Sequence, residues 1–122
     1  MKKIILLLLL ISQFLFLSTA DEAFVEHSRI SYMSSFRILG VIELRAQKDK
    51  TSPVTYCTLN HEGGMKVTVL EVLESDTLKG KHGVWLYVLL TAPMWVDNGE
   101  WIEKYQKYLI FLPDDMPVFD FE

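Results

Sequence analysis

The run VWLYVLLT, residues 84 to 91, is apolar on both faces when drawn as a strand. Val84, Leu86, Val88 and Leu90 fall on one side and Trp85, Tyr87 and Leu89 on the other, because successive side chains of an extended chain point in opposite directions. Such a strand must be covered twice, so it cannot lie in a sheet with one wet face. One cover is the interior of the fold, and the other is extra chain or a partner. From about Gly40 onward, short runs rich in valine, leucine, tyrosine and tryptophan alternate with clusters of glycine, asparagine, aspartate and serine. That is the pattern of an all-β meander.

GVIELRA (40 to 46) is the first strand expected, starting as early as Phe36, and QKDKTSP is a polar loop. VTYCTL (54 to 59) is the second strand, and NHEGG (60 to 64) is a turn whose glycines accept positive φ. MKVTVLEVL (65 to 73) is the third, since Met65, Val67 and Val69 alternate with Lys66 and Thr68. ESDTLKGKHG (74 to 83) reads as a hairpin loop or a distorted strand end, 84 to 91 is the fourth strand, and EWI (100 to 102) starts a fifth. Helix is expected only as a turn at EKYQKY. Two segments are left to supply the second cover: 21 to 35, and 113 to 122, where Phe119 and Phe121 sit between acids. Either can lie across the sheet, and the tail reads equally as a solvated end.

Met1, Lys2 and Lys3, an apolar stretch from Ile4 to Leu17, and Ser18-Thr19-Ala20 ahead of Asp21-Glu22 have the form of a secretory signal peptide cleaved after Ala20. The competing form, an uncleaved membrane anchor, is opposed by Ser12 and Gln13 and by a run shorter than the roughly 20 residues of a bilayer span. The expected location is periplasmic or secreted, with no stable membrane anchor after cleavage. Of twelve basic residues two leave with the leader, so the remaining ten face sixteen acids at a net charge of −6. Nucleic acid, whose phosphates need clustered lysine and arginine, is not an expected partner. One cysteine, Cys57, cannot make an internal bridge, so stability must come from a packed core. Cys57 itself is expected to be a small buried hydrophobe.

ELRAQKDKTSPV, LNHEGGMKVTVLE, GVWLYV, GEWI and a final Tyr-Leu pair follow one another in an order that resembles the bacterial Src-homology-3-like domain, over about Gly40 to Leu109. The resemblance implies a small, strongly bent barrel of about five strands, with Leu44, Leu59, Val67, Val69, Val88 and Ile102 in its core. With the leader set apart, the expected layout is a signal peptide at 1–20, an N-terminal extension at 21–39, the barrel of the resemblance at 40–112 and an acidic aromatic tail at 113–122. LLTAPMWVDN is longer than the hairpin usual at that point and brings in Trp95. The resemblance also implies a non-catalytic module that accompanies cell-wall enzymes and binds peptidoglycan peptides.

No H-E-x-x-H, C-x-x-C, G-x-S-x-G or phosphate-loop pattern occurs, so no enzyme activity, cofactor or metal is expected. Three histidines, at 27, 61 and 82, lie in the N-terminal segment or in loops, and His61-Glu62 fits a solvated turn better than a metal or acid–base site. Lys79 to Gly83 makes a small basic tip, and Asp114-Asp115 lacks the spaced oxygen donors of a calcium loop. The aromatics remain. With Val88 and Ile102 inward, Trp85 and Trp101 turn outward on adjoining strands, and Trp95, Tyr105 and Tyr108 complete an apolar platform edged by Glu100, Glu103, Lys104 and Lys107. Flat rings hold sugar faces, peptide side chains or protein anchors. The competing use of the same rings is to seal the fold beneath 21–35 or the tail.

The expected function is an exported binding module of the cell envelope recognising a cell-wall peptide or an envelope protein through exposed aromatics. The alternative is a small secreted inhibitor or accessory subunit docking through its tail, whose alternating rings can add to a sheet edge.

Overall fold

The computed structural model describes residues 27–59 and 63–122. The expected leader with its cut after Ala20, residues 21 to 26, and the turn residues His61 and Glu62 lie outside the described residues. After a 3-10 turn at His27–Arg29, every regular element is a strand: β1 (Ser35–Ile38), β2 (Glu43–Leu44), β3 (Tyr56–Cys57), β4 (Met65–Leu78), β5 (Lys81–Leu90), β6 (Met94–Trp95), β7 (Trp101–Ile102), β8 (Lys107–Pro113) and β9 (Val118–Phe119). The all-β expectation therefore describes the molecule. Among the described residues no helix is long and apolar enough to cross a membrane. EKYQKY, expected as a helical turn, is a non-helical turn at Lys104 and Tyr105 that leads into β8.

Five strands form one antiparallel sheet in the order β8-β5-β4-β1-β9. The sheet is open, with β8 and β9 at its edges, and does not close into the expected barrel. EWI does not supply its fifth strand, because β7 pairs with β6 in a separate ribbon. The seven residues of β8 take that place instead, in register with β5 from Gly83↔Pro113 to Leu89↔Lys107. A second ribbon joins β2 to β3. One bridge attaches the β2–β3 ribbon to the sheet and another joins the two ribbons. Arg45 exchanges backbone hydrogen bonds of 3.0 and 2.8 Å with Leu109 of β8, and Thr58 bridges Val96.

β1 lies in the stretch expected as an extension and β9 in the expected tail, yet both belong to the sheet. Val118 is buried, Phe121 stacks on Phe36 with centroids 6.1 Å apart, and Glu122 exchanges backbone bonds of 3.1 and 2.8 Å with Ser35. A solvated tail is thus replaced by chain that completes the sheet.

The β4–β5 hairpin turns through Lys79 and Gly80, both at positive φ (52° and 80°), the geometry of a tight primed turn. β4 carries two register shifts against β5, between Val69 and Glu71 and between Val72 and Ser75. Each places one extra residue in β4, and such bulges bend a strand and raise its twist. The bend separates two cores. Val67 and Val69 of β4 pack with Leu86, Val88, Leu90, Ile110 and Leu112 in the main core, which also takes Leu44, Met94, Val96, Ile102 and Val118. From the second bulge onward, Leu73 and Leu78 pack with Trp85, Leu109 and Phe111 on the opposite face.

The run 84 to 91 is accordingly covered on both faces, but the two segments assigned to the second cover help to close the main core instead. Residues of the N-terminal turn and the tail (Ile30, Met116, Val118, Phe121) pack on the main core. The Trp85 face is closed by the second half of β4 and by basic side chains around the polar loop. The Arg45 guanidinium lies 5.2 Å from the centroid of the Trp85 ring, and the Lys48 amine 5.5 Å from that of Tyr87. Long basic side chains cover apolar surface with their stems while their charges find partners, here Glu71 for Lys48 and Glu74 for Lys50. One core position is displaced. Leu59 is 42 % exposed, and Thr58 points inward in its stead, its hydroxyl donating to the Gly40 carbonyl (3.0 Å) and accepting from the Ile42 N–H (2.8 Å).

Candidate functional site

The β6–β7 ribbon is a short hairpin written by its turn. Gly99 adopts φ 78°, the Val96 N–H reaches the Glu100 carbonyl at 3.0 Å, and the Asn98 side-chain oxygen accepts from the Glu100 N–H at 3.0 Å. Met94, Val96 and Ile102 point into the main core. Alternation then forces Trp95 and Trp101, which are direct cross-strand partners, to the outside. They meet there with ring centroids 5.0 Å apart and planes inclined at 65°. Trp95 is 53 % and Trp101 47 % exposed, and the Trp101 indole N–H donates to Glu103 Oε1 at 3.0 Å. Tyr105 follows at the next turn, exposed and at φ 73°, with the Lys104 amine 5.1 Å from its ring centroid.

Two of the five platform residues are placed differently. Trp85 is 2 % exposed and does not meet Trp101. It does leave the main core, as expected, but it enters the second core against Phe111, at a centroid distance of 5.2 Å. Its indole N–H donates to Asp76 Oδ2 at 3.0 Å. That bond is the main cause holding the Asp76 carboxyl below its ordinary pKa, with the Thr77 N–H and Lys50 adding to it. Tyr108 is 6 % exposed because β8 alternates Tyr108, Ile110 and Leu112 into the main core. Its ring meets Tyr56 edge-on at 6.4 Å. Burial raises the Tyr108 phenol, and Tyr56 and Glu100 add to the rise. Glu100 accepts a hydrogen bond from the Tyr56 phenol and raises it in turn. Trp95, Trp101 and Tyr105 therefore remain exposed, and of these the two indoles are brought together.

Asp97 and Tyr56 were not among the expected site residues, and Glu100 was expected only at the edge of the platform. Asp97 Oδ1 accepts from the Cys57 N–H at 3.2 Å and ties the ribbon to β3. Reading Asp97-Asn98-Gly99 as a hairpin turn between MWV and EWI was the signal that would have set Trp95 opposite Trp101. Cys57 is free and half-buried, and burial, then Asp97 and Glu43, raise its thiol against a smaller opposing effect of Lys79.

A shallow cleft between the polar loop and β4 has Leu73, Trp85 and Leu109 as its floor. Its rim charges Lys48 and Lys50 are already paired with Glu71 and Glu74. His27 Nε2 lies 2.9 Å from the Met116 carbonyl, and Asp114 Oδ2 lies 2.6 Å from His82 Nδ1, so both described histidines fasten the stretch after β8. Among the described residues no group of three or more histidine, cysteine, aspartate or glutamate side chains is placed to hold a metal ion. Comparison with known proteins finds no matching family model, no matching curated protein and no matching solved structure.

Proposed function

We propose that this chain is an exported, non-catalytic binding module of the cell envelope that recognises a cell-wall peptide through Trp95, Trp101 and Tyr105. The observation that carries the proposal is the half-exposed indole pair fixed by the β6–β7 ribbon. Large aromatic side chains are normally withdrawn from water, and two of them held outward at one spot supply contact area at little rotamer cost. The leader-like sequence before Asp21 supports export. The ordered motifs between Gly40 and Leu109 support membership in the bacterial Src-homology-3-like class, of which this chain would be a variant with an open sheet.

Docking through the tail is less favoured, because β9 already pairs with β1 and Val118 is buried. The test is sedimentation with insoluble cell-wall material, comparing the wild type with Trp95→Ala and Trp101→Ala. Binding lost in both variants while their circular dichroism is unchanged supports the proposal. Equal binding by all three proteins removes it.

A further inference from the structure

We infer that the site at Trp95 and Trp101 recognises a positively charged side chain, a primary amine on a flexible stem carried by a peptide. This rests on the binding role proposed above and adds the chemistry of its ligand. Three observations carry it.

The first is shape. Rings inclined at 65° with centroids 5.0 Å apart do not share a plane, so they offer no flat surface for a sugar to lie across both. The edge of one ring meets the face of the other, and with about half of each residue exposed, π surface outside that contact is open to a ligand. A π face is electronegative and attracts a cation within about 6 Å of the ring centroid, most strongly for tryptophan.

The second is charge. Residues 94 to 103 contain Asp97, Glu100 and Glu103 and no lysine, arginine or histidine. The Glu103 carboxylate is held at the edge of the Trp101 indole by its 3.0 Å bond. A cation reaching that surface meets both a ring face and a fixed negative charge, and a neutral group gains from neither.

The third is what the rest of the molecule does with its aromatics. Trp85 carries Arg45, Tyr87 carries Lys48, Tyr105 carries Lys104 and Phe121 carries Arg29, at centroid distances of 5.1 to 5.7 Å. Among the described residues, Trp95 and Trp101 have no such intrachain cation. Trp101 also holds the Glu103 carboxylate at its edge, so a ring pair suited to a cation is left without one.

The experiment follows the three indole N–H resonances of the protein during titration with the peptide acetyl-Gly-Lys-Gly-amide, with its Nε-acetylated form, and with a chitin oligosaccharide. The expected result is that the lysine peptide shifts the Trp95 and Trp101 signals and leaves that of Trp85 in place, whereas the acetylated peptide and the sugar shift none. Trp101→Leu keeps apolar area and removes the π face, and Glu103→Gln removes the charge. Each is expected to weaken the lysine peptide at least about threefold, and added salt to weaken it further. Equal shifts from the acetylated peptide, shifts from the sugar alone, or no shift from any probe would overturn the inference. Failure here is separable from failure of the binding role: wall sedimentation that depends on Trp95 and Trp101 but survives acetylation of the wall's amines keeps the role and discards the amine.

Discussion

Trp85 and Trp95 are the same residue type on successive strands of one small protein, and their surroundings set opposite roles for them. Trp85 has its ring against Phe111 and Arg45 and its N–H on Asp76, while Trp95 keeps half its surface in water. Trp85→Ala should cost about 3–5 kcal/mol, the usual range for emptying a buried aromatic site. Trp95→Ala should cost under about 1 kcal/mol, as exposed positions do. Urea unfolding midpoints of the two variants measure the difference directly. Asp76 adds a pH dependence of known sign. Its native carboxyl sits below the ordinary value of 3.8, so the folded chain binds that proton less readily than the unfolded chain. The contribution is complete above that ordinary value and is lost as pH falls through the lower native one. Asp76→Asn should therefore flatten the acid limb of melting temperature against pH between about pH 5 and 2, and parallel limbs would show that the bond to Trp85 is not coupled to folding.

At the scale of elements, the β4–β5 hairpin concentrates the local constraints. Lys79 holds φ 52° without being glycine, a conformation that costs an L-residue about 1–2 kcal/mol and asparagine less. Lys79→Asn should raise stability by about 0.5–1 kcal/mol. Gly83 is the opposite case: a Cβ there would lie 2.4 Å from the Leu112 carbonyl oxygen on β8. Gly83→Ala should push β8 from β5 and lower the melting temperature, and parallel thermal melts of the two variants should move in opposite directions. β5 itself was legible in the sequence because its two apolar faces left no other placement. β4 was legible only to Leu73, since a bulged strand loses its period-2 pattern and Glu74, Ser75 and Asp76 look like a loop. β8 was hidden by the polar KYQK that precedes it, though Tyr108 to Leu112 is a continuous apolar run. β1 and β9, four and two residues long, are held by partners distant in sequence and carry no local signal strong enough to place them. The site was half legible for the same reason. Alternation put Trp101 outside, but which ring it would meet depended on a turn at Asp97 to Gly99 rather than on either strand.

For the molecule as a whole, the open sheet raises the question of whether the two ribbons are dependents of it or separate folding units. Two-residue strands cannot be stable on their own, because the entropy of ordering their chain exceeds what so few hydrogen bonds return. Their inward side chains answer the question. Leu44 of β2, Met94 of β6, Val96 just after it and Ile102 of β7 are buried in the same core as Val67, Val88 and Ile110 of the sheet. A core shared in this way couples the ribbons to the sheet, so the chain should unfold in one step. Cys57 provides a probe inside the β2–β3 ribbon, half-buried and with its thiol raised by that burial. Pulsed thiol labelling of Cys57 across a urea gradient should give the same midpoint as far-ultraviolet circular dichroism, which reports the five-stranded sheet. Val96→Ala, which empties a site behind the Trp95 and Trp101 pair, should lower both midpoints together. A labelling transition that precedes the loss of β-signal would mean that the ribbons open while the sheet persists, and the indole pair would then ride on a detachable element instead of being fixed by the core.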